Sequence, residues 1–160
     1  GLNRKFAAMG WDFIPEELWN EERQAAYNAV DYDSEVIIKG FDINGKAITA
    51  AMANAMEAGV EEDISFSRMD MRKFRADESN GIIITNPPYG ERIGDKEAIH
   101  KIYARLKDIL EKDPTWSLFM ITTDREVEKI FDRKADRRRK LYNGRLQTTY
   151  YQFHGQKILK

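Results

Sequence analysis

Short β-branched runs alternate along this chain with stretches of helical periodicity, and that alternation restricts the fold more than any other feature. Strands fed by intervening helices pair in parallel, with helices packed on the sheet faces. Residues 16–30 read as a helix. Residues 36–42, rich in valine and isoleucine and closed by Asp42, read as a buried strand. In residues 45–58, Ile48, Met52, Ala55 and Met56 recur at helical spacing and Gly59 ends the helix. Residues 64–68 alternate apolar and polar side chains as a second strand ending near Asp70. Residues 81–85 form a third, short and apolar, and Asn86 to Gly90 leave regular structure because neither proline can donate to a ladder. The stripe Ile99, Ile102, Tyr103, Leu106, Ile109 and Leu110 marks a helix over 96–112, ended by Asp113-Pro114. Residues 116–122 give a fourth strand and 126–131 a short helix. Residues 137–142 and 145–153 flank Asn143-Gly144, a strong hairpin signal.

The bulk of the sequence excludes several classes. Its 160 residues suffice for one core, and 42% hydrophobic with 33% charged residues is a globular composition. No apolar run approaches the roughly 20 residues of a membrane helix. The chain has no cysteine and only two histidines, His100 and His154, so disulfides, thiolate sites and a zinc centre are not expected. Charge is uneven: 15 basic and 23 acidic residues up to Asp124, against 11 and 4 after it. A basic end on an acidic body suits either a polyanion partner or a solvated surface.

Three strand ends deliver Asp42, Asp70 and Asn86 to one rim of the expected sheet, where open α/β sheets bind ligands. Asp42 either bonds a ribose or caps the next helix, and Asp70 is either a ligand or a turn acid. The tetrapeptide Asn86-Pro87-Pro88-Tyr89 is more telling. Its two prolines fix the backbone after the strand, leaving the Pro87 carbonyl and the Asn86 side-chain oxygen as paired acceptors. Together they can take both hydrogens of an –NH2 group, while Tyr89 offers a face to a planar substrate. Holding an amine this way aims its lone pair at an electrophile by positioning alone.

Asn86-Pro87-Pro88-Tyr89 after a strand resembles motif IV of class I amino-methyltransferases. The longer stretch Thr85-Asn86-Pro87-Pro88-Tyr89-Gly90-Glu91-Arg92-Ile93-Gly94 is similar to bacterial 23S rRNA guanine-N2 methyltransferases that carry an N-terminal THUMP RNA-binding domain. Gly1-Leu2-Asn3-Arg4, Gly40-Phe41-Asp42-Ile43 and Leu141-Tyr142-Asn143-Gly144 also look like that family's pattern. The resemblance implies a Rossmann-like α/β sheet, mostly parallel, closed by an antiparallel hairpin. It implies S-adenosylmethionine as cofactor, with Asp42 on its ribose, Ile43 on its adenine, Asp70 accepting from the adenine amino group, and Met71 and Asn86 beside it. Asn86 and Pro87 would hold the target amine, with Pro88, Tyr89 and Arg92 binding the substrate. The implied partner is RNA, 23S rRNA foremost, and the implied setting is the cytoplasm, with no membrane and no metal.

The resemblance also implies a gap. The family's first strand carries a Gly-rich loop for the methionine part of the cofactor, and residues 1–160 contain no such segment. Residues 36–42 match the family's second strand. In the family's sheet order, 3-2-1-4-5-7-6, the absent strand is central, so strands 2 and 4 are expected as open edges. The chain is then a partial methyltransferase domain, to be completed by the missing N-terminal part of the same protein or by a separate chain. Amino-methylation of adenine in DNA, guanine in tRNA or a protein glutamine uses the same loop chemistry. A catalytically silent RNA-binding fragment is the reading from another class.

Overall fold

The computed structural model describes residues 4–31, 33, 36–89 and 95–156, the Asp95 side chain excepted. It divides into two compact units, residues 1–68 and 69–160.

The first unit holds α1 (Glu16–Asn28), β1 (Ile38–Asp42), α2 (Gly45–Ala58) and β2 (Ile64–Arg68), preceded by a 3-10 turn at Ala7–Gly10. β1 and β2 pair in parallel, Ile38 opposite Ile64 and Asp42 opposite Arg68, with α2 as the crossover. Asn44 caps α2 by accepting from the Lys46 amide at 3.0 Å, and Gly59 closes it in the left-handed conformation with φ +70. Phe6 stacks on Trp19 of α1. Trp11, which a core role would bury, is instead exposed and stacked on Phe13.

The second unit holds a 3-10 turn (Met71–Lys73), β3 (Ile82–Thr85), α3 (Asp95–Lys112), β4 (Ser117–Thr122), α4 (Val127–Ile130), β5 (Arg137–Asn143) and β6 (Leu146–Phe153). Its sheet runs β3-β4-β6-β5, with β3 and β4 parallel and the remaining pairs antiparallel. Each sheet matches part of the expected class I methyltransferase order, 3-2 in the first unit and 4-5-7-6 in the second. β1 and β3 each have a strand neighbour on one side only, among the described residues.

One face of this second sheet is closed. Ile99, Tyr103, Leu106, Ile109 and Leu110 of α3 pack on Leu118, Met120, Tyr151 and Phe153, together with Val127 and Phe131. Ile102 sits at the margin of the same stripe. The opposite face is open: Ile82 is 64% and Ile84 79% exposed. An apolar groove of about 500 Å³ lies there, lined by Ile84, Phe119, Ile121, Leu141 and Tyr150. The strand expected to be buried at residues 36–42 is likewise exposed, because an all-apolar strand is buried only when both its faces are covered.

Two glycines have a specific purpose. A Cβ on Gly81 would stand 2.2 Å from the Trp116 ring, which is itself fixed by an indole N–H donated to the Glu78 carbonyl at 2.7 Å. Gly144 takes φ +60 in the hairpin turn. The last strand pair is Asn143 opposite Leu146, so Gly144-Arg145 form the two-residue loop and Asn143 belongs to β5. A positive φ at the first loop residue alone is the type II′ pattern.

Candidate active site

The C-terminal ends of β3 and β4 and the β5–β6 turn build one rim in the second unit. β3 ends at Thr85 and the chain continues as Asn86-Pro87-Pro88-Tyr89. Asn86 and Pro88 are exposed, Pro87 is buried and Tyr89 is half-buried. The buried proline anchors the loop and leaves the residues around it facing outward. Tyr89 is held at both ends. Thr123, just past β4, donates its hydroxyl to the Tyr89 carbonyl at 3.4 Å. Asn143 donates its side-chain amide to the Tyr89 hydroxyl at 3.4 Å. These are long bonds, but they come from two different elements and restrain the ring together.

The segment after β4 is fixed more firmly. The Thr122 hydroxyl accepts from the Asp124 amide at 3.1 Å and bonds the buried Tyr103 hydroxyl at 2.9 Å. Burial pushes the Tyr103 phenol up to about 12, against the lowering effect of its Thr122 hydrogen bond, so it keeps its proton at neutral pH. Tyr151 donates its hydroxyl to the Asp124 carbonyl at 3.2 Å. The Glu126 amide donates to Asp124 Oδ1 at 2.8 Å. A pocket of about 340 Å³ opens between this segment and the loop, lined by Pro88, Tyr89, Lys96, His100, Thr123, Asp124, Arg125 and Glu126 over a floor of Ile99 and Tyr103.

The other expected residues are divided between the two units. In the first, Asp42 closes β1 and accepts the Asn44 amide on Oδ1 at 2.7 Å, while its Oδ2 has no hydrogen bond among the described residues. Asn44, not Asp42, is the helix cap. Ile43 beside it is 59% exposed. An exposed carboxylate oxygen next to an exposed apolar side chain suits a ribose diol next to a planar base. In the second unit, Asp70 is bound to Arg72 through both carboxylate oxygens and also accepts the Arg72 amide at 2.9 Å. The guanidinium and amide of Arg72 hold the Asp70 carboxyl down at about 2. An adenine amino group would have to displace part of that contact. Met71 packs against the second unit's core. Arg92, expected to bind substrate, lies outside the described residues, as does Gly90.

Sequence reasoning missed Thr123, Asp124 and Asn143. The end of the fourth strand carries Thr122-Thr123-Asp124, and the strand-end rule that singled out Asp42, Asp70 and Asn86 applies to it equally. In the basic run of β5, Arg138 pairs with Glu128 at 2.8 Å and Lys140 lies over the Tyr142 ring. Arg137 and Arg139 stand on the opposite side of the strand, exposed. Among the described residues there is no cluster able to hold a metal ion, and no helix is long and apolar enough to cross a membrane.

Comparison with known proteins agrees with this geometry. Residues 2–152 match the family model described as "RMKL-like, methyltransferase domain". The chain is 37% identical over 153 residues to "Putative RNA methyltransferase YpsC" of Bacillus subtilis, covering 96% of this chain and 40% of that protein. It is 33% identical over 155 residues to "Ribosomal RNA large subunit methyltransferase K/L" of Shewanella frigidimarina, covering 94% of this chain and 22% of that protein. The solved structure of SMU.472, "a putative methyltransferase complexed with SAH", superposes with TM-score 0.82 at 40% identity, over 99% of this chain and 42% of that one. The chain thus spans well under half the length of each.

Proposed function

Because this chain belongs to the RMKL-like methyltransferase-domain family, we propose that it is part of an enzyme that methylates the N2 amine of a guanine in large-subunit ribosomal RNA. The observation that carries this reading is the loop Asn86-Pro87-Pro88-Tyr89 at the end of β3, its proline anchored and its tyrosine restrained by Thr123 and Asn143. S-adenosylmethionine supplies an electrophilic methyl group when bound; a related structure is described with SAH. Asp42 and Ile43 hold its ribose and adenine, and Asp70 and Met71 contribute to the adenine end. The protein's own part is positional. Asn86 Oδ1 and the Pro87 carbonyl accept the two hydrogens of the target amine, Tyr89 stacks on the base, and Pro88 and Arg92 border it. Bound there, S-adenosylmethionine would supply a methyl group to the nitrogen that Asn86 and Pro87 hold with its lone pair toward the donor, and the amine would release one proton to water. A base in folded RNA reaches this loop only after unstacking.

The open edges of β1 and β3 and the exposed apolar face of the second sheet support completion by further polypeptide, carrying the first strand and its glycine-rich loop. We place the assembled enzyme in the cytoplasm, where ribosomal RNA is made in bacteria. The test is methylation by the full-length enzyme on undermodified ribosomal RNA, tRNA and DNA, with the product nucleoside identified. N2-methylguanosine in large-subunit RNA is expected; N6-methyladenine in DNA would overturn the substrate. Asn86→Ala should lower kcat by about 100-fold or more with S-adenosylhomocysteine affinity nearly intact. RNA binding indifferent to Asn86→Ala, with no methylation by either protein, would mark a silent RNA-binding piece.

A further inference from the structure

We propose that Asp124 reads the N1–H of the target purine, and so makes the site choose guanine over adenine. This rests on the amine-methylation reading and adds the residue that selects the base.

The pocket that carries the proposal is the one of about 340 Å³ shared by Pro88, Tyr89 and Asp124. Asn86 itself lines the groove on the open face, but Pro88 and Tyr89, which follow it in the loop, line this pocket, so a base stacked on Tyr89 presents an edge to the pocket wall. Asp124 is unusually well fixed for a residue in a connection between elements. Its amide donates to Thr122, its carbonyl accepts from Tyr151 and its Oδ1 accepts from the Glu126 amide. Two core tyrosines, Tyr103 through Thr122 and Tyr151 directly, direct their hydroxyls to this one segment. Oδ2 has no hydrogen bond among the described residues, so Asp124 brings a free acceptor to the lining of the pocket.

A turn acid before α4 accounts for the bond to Glu126 and leaves the second oxygen free; what points to a ligand is the pocket that Asp124 shares with Tyr89. A carboxylate oxygen only accepts hydrogen bonds. Guanine carries a donor at N1 next to its N2 amine, whereas adenine carries an acceptor at N1 next to its N6 amine. The same Asp124 oxygen therefore attracts one base edge and repels the other. Sites built to bond a donor reject the analogue that lacks it far more strongly than sites that discriminate by shape. Lys96 and Arg125 line the same pocket, each without an ion pair among the described residues, and supply positive charge for the phosphates of the extruded nucleotide. No bond to Asp124 forms or breaks in the transfer.

The experiment uses the full-length enzyme and an oligoribonucleotide spanning its mapped target position. Guanine and 2-aminopurine are compared there; both carry the 2-amino group, but 2-aminopurine has an acceptor at N1. The unmodified enzyme should favour guanine by about tenfold or more in kcat/KM. Asp124→Asn, whose amide can donate to N1, should lower kcat/KM for guanine by at least about tenfold while leaving that for 2-aminopurine equal or higher. S-adenosylhomocysteine binding should stay within about twofold. Equal use of both purines by the unmodified enzyme, or an equal fall for both with Asp124→Asn, overturns the proposal. 2-Aminopurine also lacks the 6-oxygen of guanine, so equal use by the unmodified enzyme overturns the proposal even where the variant does not fold, and a guanine preference counts for it when Asp124→Asn removes that preference. Failure to methylate any purine would instead count against the underlying reading.

Discussion

Asp70 gives both carboxylate oxygens to Arg72, and two consequences follow. The first concerns pH. Its carboxyl is lowered from 3.8 to about 2, so the folded state favours the ionised form. The stabilisation is present above the unfolded value and is lost as pH falls through the folded one. The stability difference between the unmodified protein and Asp70→Asn should be flat from about pH 5 to 7 and shrink below about pH 4, as followed by denaturant unfolding. The second concerns the cofactor. On the proposed cofactor reading, adenine and Arg72 would compete for one carboxylate, so Arg72→Ala should tighten S-adenosylhomocysteine binding a few-fold by calorimetry. Weaker binding would place Arg72 itself in the adenine contact. At this scale the sequence was legible where chemistry is carried by residue type, as in Asn86-Pro87-Pro88-Tyr89. It was not legible where partners meet only in three dimensions, as Asn143 with Tyr89 from 54 positions away.

Among the elements, α3 was the most readable, because an amphipathic stripe over 18 residues repeats its signal five times over. β1 and β3 were read correctly as strands, but β1 wrongly as a buried one. Composition reports what a segment prefers to contact, not whether that contact is present. The approach of β3 to β4 depends on Gly81. Gly81→Ala must displace the Trp116 ring, whose indole N–H is tied to Glu78, and should cost about 1–3 kcal/mol, measured as a shift in denaturant midpoint. Gly144→Ala should cost about 1 kcal/mol through its positive φ. That change also disturbs the β5 position from which Asn143 reaches Tyr89. It should therefore raise KM for RNA more than Asp70→Asn does, measured in the full-length enzyme.

For the molecule as a whole, the strand order within each sheet followed from family resemblance, and so did the open edges of β1 and β3 among the described residues. Of the residues proposed for the cofactor, Asp42 and Ile43 belong to the first unit and Asp70 and Met71 to the second, and the proposed glycine-rich loop is not among residues 1–160. Residues 1–160 alone should then bind S-adenosylhomocysteine at least about tenfold more weakly than the full-length enzyme, by calorimetry; equal affinity would show that the glycine-rich strand is dispensable. The charge asymmetry has become more specific too. Arg138 is paired with Glu128 and Lys140 lies over the Tyr142 ring, which leaves Arg137 and Arg139 as the β5 cations proposed to meet phosphate. Replacing both with alanine should reduce the salt dependence of RNA binding by a slope of about 1 to 2.

The relay from Tyr103 through Thr122 to Asp124 has a bearing on protein engineering. A library aimed at a new base preference would ordinarily randomise the residues that face the substrate. Here the backbone that carries one such residue is tethered to hydroxyls inside the hydrophobic interior. Tyr103→Phe and Tyr151→Phe keep the ring and remove the tether. Substrate choice can therefore drift through changes that no surface inspection would nominate, and a search for relaxed selectivity should include those two buried positions from its first round.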